Sequence, residues 1–312
     1  MLSALMVFCL TAQAAGEDAK PETLERIQIL TQQGIELFKK KEYEKALGVF
    51  QEAEKLMPEN PTTAYNLACA HSLMGKKKEA FECLFRSIEL GYLNLAHMEA
   101  DEDLAPLRGE KEWAEVAVKV KGELDRREAE AGRKAREEMR EALAAREQLF
   151  AFDFELKDVD GKPLALRDFR GKAVLVDIWG TWCPPCRREV PHLVALVEKY
   201  KDKGLAVVGL SRERVAGEEA EKLVRDFAGK NGINYPCAVI DNEFLKQVPG
   251  FRGFPTLLFL DREGRVRLTH VGYSPPVVLE AMVEELLGAG AKAEPPAKKK
   301  AKERAKKRWF TR

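Results

Sequence analysis

The chain has 312 residues, 45% of them hydrophobic, and its 52 basic side chains nearly balance 51 acidic ones. That length exceeds one average domain, so two globular domains are expected. The near-zero net charge gives the chain as a whole no electrostatic case for nucleic acid or a membrane. Local patterning carries the rest.

Leu2 to Leu10 is a short apolar run, followed by Thr11-Ala12-Gln13-Ala14-Ala15. Ala12-Gln13-Ala14 fits the small-x-small cleavage pattern of a secretory signal peptide, although no Lys or Arg precedes the run. The run is too short to span a bilayer. Bulky Phe8 ahead of Cys9 is a poor context for lipid attachment. Residues 1–15 are therefore read as a signal peptide, which places the rest of the chain in the periplasm or otherwise outside the cytoplasm.

Residues 21–110 repeat themselves. Ala46, Phe50 and Ala53 recur as Ala80, Leu84 and Ser87, each 34 residues later, the period of tetratricopeptide repeats with two antiparallel helices per unit. Gly34, Tyr43 and Pro58 stand where that family places a small residue, an aromatic and a helix-ending proline. Tyr65-Asn66-Leu67-Ala68 and Gly75 mark the second unit, and 95–113 reads as a degenerate third. Cys69 and Cys83 are read as small buried residues at helix contacts, with pairing as the alternative. Beyond Leu124 an apolar stripe fades into Lys, Arg, Glu and Ala. Residues 111–149 are thus expected to form a solvated helical linker, with weak points at Gly122 and Gly132.

Next, Phe152 to Leu156 reads as a strand, in a hairpin with the segment 164–166 through the Asp160-Gly161 turn. Ala173 to Ile178 is a buried strand rich in β-branched residues. Trp179-Gly180-Thr181-Trp182-Cys183-Pro184-Pro185-Cys186 follows, and from Arg187 the pattern turns helical. Two cysteines separated by two residues at a strand-to-helix junction are the mark of a redox site. The helix start lets the sulfurs close a short disulfide, and its free N–H groups stabilise a thiolate. Half of a zinc site is one other reading, but no second pair of ligands at suitable spacing exists. A purely structural bridge is another. Leu205 to Leu210, Cys237 to Ile240, Thr256 to Leu260 and Arg265 to Val271 are further strands, and 218–228 and 276–287 are helices. Cys237 reads as a buried, inert thiol. Past Gly288 the composition collapses to Ala, Lys, Glu and Pro. Residues 289–312 are expected to be a basic disordered tail with, at most, weak contact with an anionic surface.

Residues 150–288 resemble the thioredoxin-like thiol–disulfide oxidoreductases of the TlpA/ResA type, within the redoxin group. The resemblance rests on Gly171 to Trp179, the Trp182-Cys183-Pro184-Pro185-Cys186 motif, Glu189-Val190-Pro191 and Gly253-Phe254-Pro255-Thr256. It implies an α/β thioredoxin-like fold, a central mixed sheet flanked by helices, after the N-terminal all-α tetratricopeptide domain. The helix near 218–228 and the strand at Cys237 would be the insertion such proteins carry mid-fold. It also implies roles. Cys183, at the exposed mouth of the helix, would be the nucleophile and Cys186 the resolving thiol. Asp177 stands at the offset of the buried acid of thioredoxins, Glu189 at that of a glutamate held near the cysteines, and Pro255 at that of a cis-proline beside the disulfide. Trp182, Phe254 and Pro255 would meet the substrate. No cofactor is implied beyond the redox-active disulfide Cys183–Cys186. The implied partners are a protein disulfide or dithiol client, an upstream redox partner that resets the site, and a protein bound by the repeats. Chemistry alone permits either direction of exchange, with reduction the expectation. A peroxiredoxin would need Thr where Gly180 stands, and a non-enzymatic repeat scaffold would not need intact cysteines.

Overall fold

The structure, a computed structural model, describes residues 20–145 and 148–291. The expected signal peptide lies outside these residues, as does the expected tail 289–312 except for 289–291, which are helical rather than disordered. The chain divides into two units, Met1–Arg127 and Glu128–Arg312. No helix among the described residues is long and apolar enough to cross a membrane.

In the first unit, α1 (Pro21–Lys39) packs on α2 (Tyr43–Leu56) and α3 (Pro61–Leu73) on α4 (Lys77–Leu90), with α2 against α3. Proline opens α1 and α3, where its missing N–H costs nothing, and the Asn60 side chain accepts the Thr63 amide at 2.9 Å. Both triples that repeat in the sequence, Ala46, Phe50 and Ala53 with Ala80, Leu84 and Ser87, are fully buried. A short helix α5 (Leu95–Ala100) and 3₁₀ turns at Glu102–Leu107 and Lys111–Trp113 stand where the degenerate third unit is expected.

Helix α6 (Ala114–Ala144) belongs to both units. Its first part seats Val116 and Val120 in the first unit's core, and its last part seats Ala135 and Met139 in the second's. The expectation of a solvated linker is corrected here. Ala135 and Met139 lie four apart, one turn of the same face, and their small apolar stripe is masked in the sequence by the charges around it. Arg136 pairs with Glu284 at 2.5 Å and Arg140 with Glu285 at 2.8 Å, so part of that charge is also used.

The second unit is built on a five-stranded mixed sheet. Its strands are β3 (Ala173–Trp179), β4 (Leu205–Ser211), β5 (Cys237–Val239), β6 (Thr256–Leu260) and β7 (Val266–Val271), in the order β5-β4-β3-β6-β7. β4 lies parallel to both β3 and β5, while β6 runs antiparallel to β3 and β7. Every residue of β3 is buried, because layers cover both faces. Leu175 and Trp179 point to one side, among residues of α7 (Pro184–Tyr200), α8 (Gly217–Asn231) and α10 (Pro276–Ala291). Val174, Val176 and Ile178 point to the other, among Phe152, Phe154, Leu164 and Val248. The expected hairpin forms, with shorter strands: β1 (Glu155–Lys157) pairs with β2 (Pro163–Ala165), and Leu166 opens a 3₁₀ turn. A four-residue helix α9 (Asn242–Leu245), capped by Asp241, has no counterpart in the sequence reading.

Candidate active site

Cys183 ends the loop that leaves β3 and is the N-cap of α7, with Pro184 and Pro185 in the first turn. It is closed in a disulfide with Cys186, their Cα atoms 5.3 Å apart. Prolines carry no N–H, so the nearest main-chain donor on the Cys183 sulfur is the Cys186 amide, at 3.3 Å. Cys183 is 3% exposed and Cys186 2%. The expected exposed position of Cys183 is therefore not what the closed disulfide shows. Trp182 and Phe254 pack against the core that contains both sulfurs, with their rings edge to face at 5.3 Å.

The loop before Cys183 is held from β4. Glu213, just past the end of that strand, is 2% exposed. Its carboxyl accepts the Thr181 amide at 2.9 Å, the Thr181 hydroxyl at 2.8 Å and the Ser211 hydroxyl at 2.7 Å. The Trp182 indole donates to the Arg212 carbonyl at 2.9 Å. Gly180 makes this approach possible, since a Cβ there would lie 2.6 Å from the Trp182 ring nitrogen and 3.0 Å from the Arg212 carbonyl. On the other side, the peptide bond between Phe254 and Pro255 is cis, and the Pro255 carbonyl accepts from Gly272 at 2.8 Å. Neither the amide nor the carbonyl of Phe254 has a hydrogen-bond partner among the described residues.

Two carboxyls share the layer of Cys186. Asp177 is 2% and Glu189 1% exposed. One Glu189 oxygen accepts the Ser274 amide at 2.9 Å; the other, and one oxygen of Asp177, have no hydrogen-bond partner. Burial raises Asp177 well above the carboxylate range, and the charge of Glu189 raises it further. Burial pushes Glu189 up to about 7, against the lowering effect of the Ser274 amide. Burial and then the charge of Asp177 also raise Tyr235 and Cys237, so the second of these is the inert thiol expected.

Of the seven residues singled out in the sequence, Cys183, Cys186, Trp182 and Phe254 share one packed cluster. Asp177 feels the charge of Glu189, and Pro255 adjoins Phe254 through the cis bond. Glu213, Ser274 and Tyr235 were missed. Only Glu213 left a trace, as an acid directly after the apolar strand 205–210.

A cysteine pair set where a buried central strand gives way to a helix defines the thioredoxin-like redox proteins. The Redoxin family model matches residues 146–287. The chain is 32% identical over 137 residues to "Thiol-disulfide oxidoreductase ResA" of Halalkalibacterium halodurans, covering 44% of this chain and 73% of that one. It is 38% identical over 120 residues to "Thioredoxin-like protein YneN" of Bacillus subtilis, covering 38% and 68%. A solved structure described as a thiol:disulfide interchange protein of the thioredoxin family, from Chlorobium tepidum, shares 28% identity at a TM-score of 0.41, covering 46% of this chain and 98% of that one. The chain belongs to the ResA-type thiol–disulfide oxidoreductases, and its redoxin part carries that membership.

Proposed function

We propose that the protein reduces disulfides of protein clients outside the cytoplasm, with Cys183 as nucleophile and Cys186 as resolving thiol. The observation that carries this reading is the closed cysteine pair at the start of α7, with two buried carboxyls in the same layer. In the dithiol state, the Cys183 thiolate attacks one client sulfur. A mixed disulfide forms and the other client sulfur leaves as a thiolate, which takes up a proton. Cys186 then loses its proton, attacks the Cys183 sulfur and frees the second client thiol. One client disulfide becomes a dithiol, and the protein is left as the disulfide; a dithiol redox partner restores it by the reverse exchange. Glu189, with a carboxyl near 7, is suited to take the Cys186 proton, and Asp177 to hold one in reserve. The unpartnered main chain of Phe254 would pair with an extended client segment, beside Trp182 and Pro255. Pro184 and Pro185 supply no donors to a Cys183 thiolate, which favours the disulfide form and a reducing potential.

The helix pairs of the first unit are proposed to be tetratricopeptide repeats that recruit the client or a partner protein. Their support is the 34-residue period in the sequence. Export is supported by the apolar run Leu2 to Leu10 and the Ala12-Gln13-Ala14 pattern after it.

Substitution tests the assignment of the thiols. Cys183→Ser is expected to abolish reduction of a protein disulfide, and Cys186→Ala to accumulate mixed disulfides that non-reducing electrophoresis resolves. Mild alkylation of the reduced protein should label Cys183 first; preferential labelling of Cys186 would reverse the roles. Pro184→His, which restores a main-chain donor, is expected to lower the Cys183 pKa and make the protein more oxidising in a glutathione buffer. An unchanged potential would leave the poise to Glu189 and Asp177.

A further inference from the structure

The segments 180–189, 212–217, 249–254 and 272–275 frame the disulfide. They are tied together by the Thr181–Glu213 and Ser274–Glu189 hydrogen bonds and the Trp182–Phe254 ring contact. Together they hold five arginines, Arg187, Arg188, Arg212, Arg214 and Arg252, no lysine, and two acids. Both acids are buried: Glu213 is engaged with Thr181 and Ser211, and Glu189 with the Ser274 amide. All the arginines but Arg212 are exposed, and Arg212 is half-buried, its Nε donating to Asn242 at 2.7 Å.

None of the five pairs with a carboxylate among the described residues. Elsewhere in the same unit, Arg136, Arg140, Arg167 and Arg265 each do, whereas Arg133, Arg170 and Arg262 do not. Three of the rim guanidinium groups lie over aromatic rings instead. Arg214 is 4.6 Å from the Trp182 centroid, Arg188 5.0 Å from that of Tyr273, and Arg187 5.8 Å from that of Phe227. Stacking restricts a long side chain while leaving the N–H edge of the fork free for a carboxylate. Asp241, Glu243 and Glu221 line the groove beside Arg212 and Arg214; Asp241 accepts the Phe244 amide, Glu243 pairs with Lys246, and Glu221 is exposed on the α8 side. Five like charges with no carboxylate partner of their own repel one another, a cost set against the three ring contacts.

We propose that this rim is a receptor for acidic client segments: the cysteines of the client lie in an extended stretch rich in aspartate or glutamate. The proposal rests on the reading of the protein as a reductant of protein disulfides, and names the substrate class of that site. A client strand paired with Phe254 runs past Arg252, two residues away in the chain, and its flanking carboxylates reach the stacked arginines on either side of Cys183. Attraction of this kind acts on encounter, so it appears in the second-order rate and weakens with salt.

Three synthetic peptides with the same internal disulfide, flanked by glutamates, glutamines or lysines, provide the test. They are reduced by the full-length dithiol protein under single-turnover conditions, beside uncharged 2-hydroxyethyl disulfide. The glutamate peptide is expected to react about tenfold faster than the lysine peptide at low ionic strength, with the ratio collapsing at about 0.5 M sodium chloride. In the double variant R188Q/R252Q that low-salt ratio is expected to fall severalfold; being a ratio, it cancels any common effect on the cysteines. Equal rates for the three peptides, with 2-hydroxyethyl disulfide still reduced, overturn the inference and leave the reductant reading standing. Failure to reduce any of the four disulfides overturns both. Equal peptide rates together with binding to phosphatidylglycerol vesicles that R188Q/R252Q abolishes assign the rim to a membrane surface instead.

Discussion

Glu189 carries a carboxyl pushed up to about 7 by burial, against 4.5 for the free side chain. Between those values the folded chain holds a proton that the unfolded chain has released. The group's contribution is therefore most favourable below pH ~4.5 and is lost as the pH rises through about 7, a change on the order of 3 kcal/mol. Asp177, raised by burial and by Glu189, acts in the same direction. Tyr235 and Cys237, raised by the same surroundings, stay neutral throughout this window. The unfolding midpoint of the oxidised protein is thus expected to fall between pH 5 and pH 8, with a shallower fall in Glu189→Gln. An identical slope in the variant would show that Glu189 does not hold the proton. Glu213 gives a second prediction at this scale. Removing its carboxyl leaves the Thr181 amide and hydroxyl and the Ser211 hydroxyl without their acceptor. Glu213→Ala should cost about 2–4 kcal/mol and speed alkylation of reduced Cys183 as the loop loosens. Glu213→Gln keeps the size but turns an amide donor toward donors, and should fall between. A variant as stable as the parent would remove Glu213 from any positioning role.

At the scale of elements, β4 passes very close to its neighbours. A Cβ on Gly209 would lie 2.9 Å from the Cys237 sulfur and 3.0 Å from the Trp179 ring nitrogen. Gly209→Ala is expected to destabilise by about 1–3 kcal/mol, and Cys237→Ala in the same chain to return part of that loss. Urea midpoints of the two single variants and the double variant measure the coupling. Strict additivity would assign the strain to Trp179. The same strands show what was legible in the sequence. β3 and the start of α7 could be read because their signals are local: a β-branched run, then two cysteines at a helix start. Asp177 stood out as an acid inside an apolar strand. Glu213 and Ser274 did not, because each becomes part of the site only when a distant segment folds onto α7 or the loop before it. Met139 was hidden for another reason. Its stripe on α6 is narrow, and the charged residues around it dominate the pattern, two of them, Arg136 and Arg140, pairing across to Glu284 and Glu285.

The whole molecule holds separate cores. Phe50, Leu67, Leu84, Met98 and Val120 are buried within the first unit, and Leu175, Trp179, Met139 and Met282 within the second. The ResA and YneN relatives quoted above cover at most 44% of the chain, and the Redoxin family model begins at residue 146, past the helical pairs. α6 contributes to each core in turn along the sequence, Val120 to the first and Ala135 to the second. A fragment beginning at Glu128 keeps Ala135 and Met139, and with them the apolar cover that α6 gives the second core. A fragment beginning at Phe150, where the sequence alone would cut, discards both. Buried Met→Ala changes cost about 2–5 kcal/mol, a large share of the stability of a domain this size. The fragment 128–291 is therefore expected to unfold cooperatively and to reduce a small generic disulfide at the rate of the full chain. The fragment 150–291 should melt markedly lower. Circular dichroism melts and single-turnover rates of the two fragments check this. Equal melting temperatures would show that the end of α6 contributes nothing to the second core. A full-rate small-disulfide reaction combined with slow reduction of the physiological client would place the first unit's contribution in recruitment; equal losses on both would place it in folding.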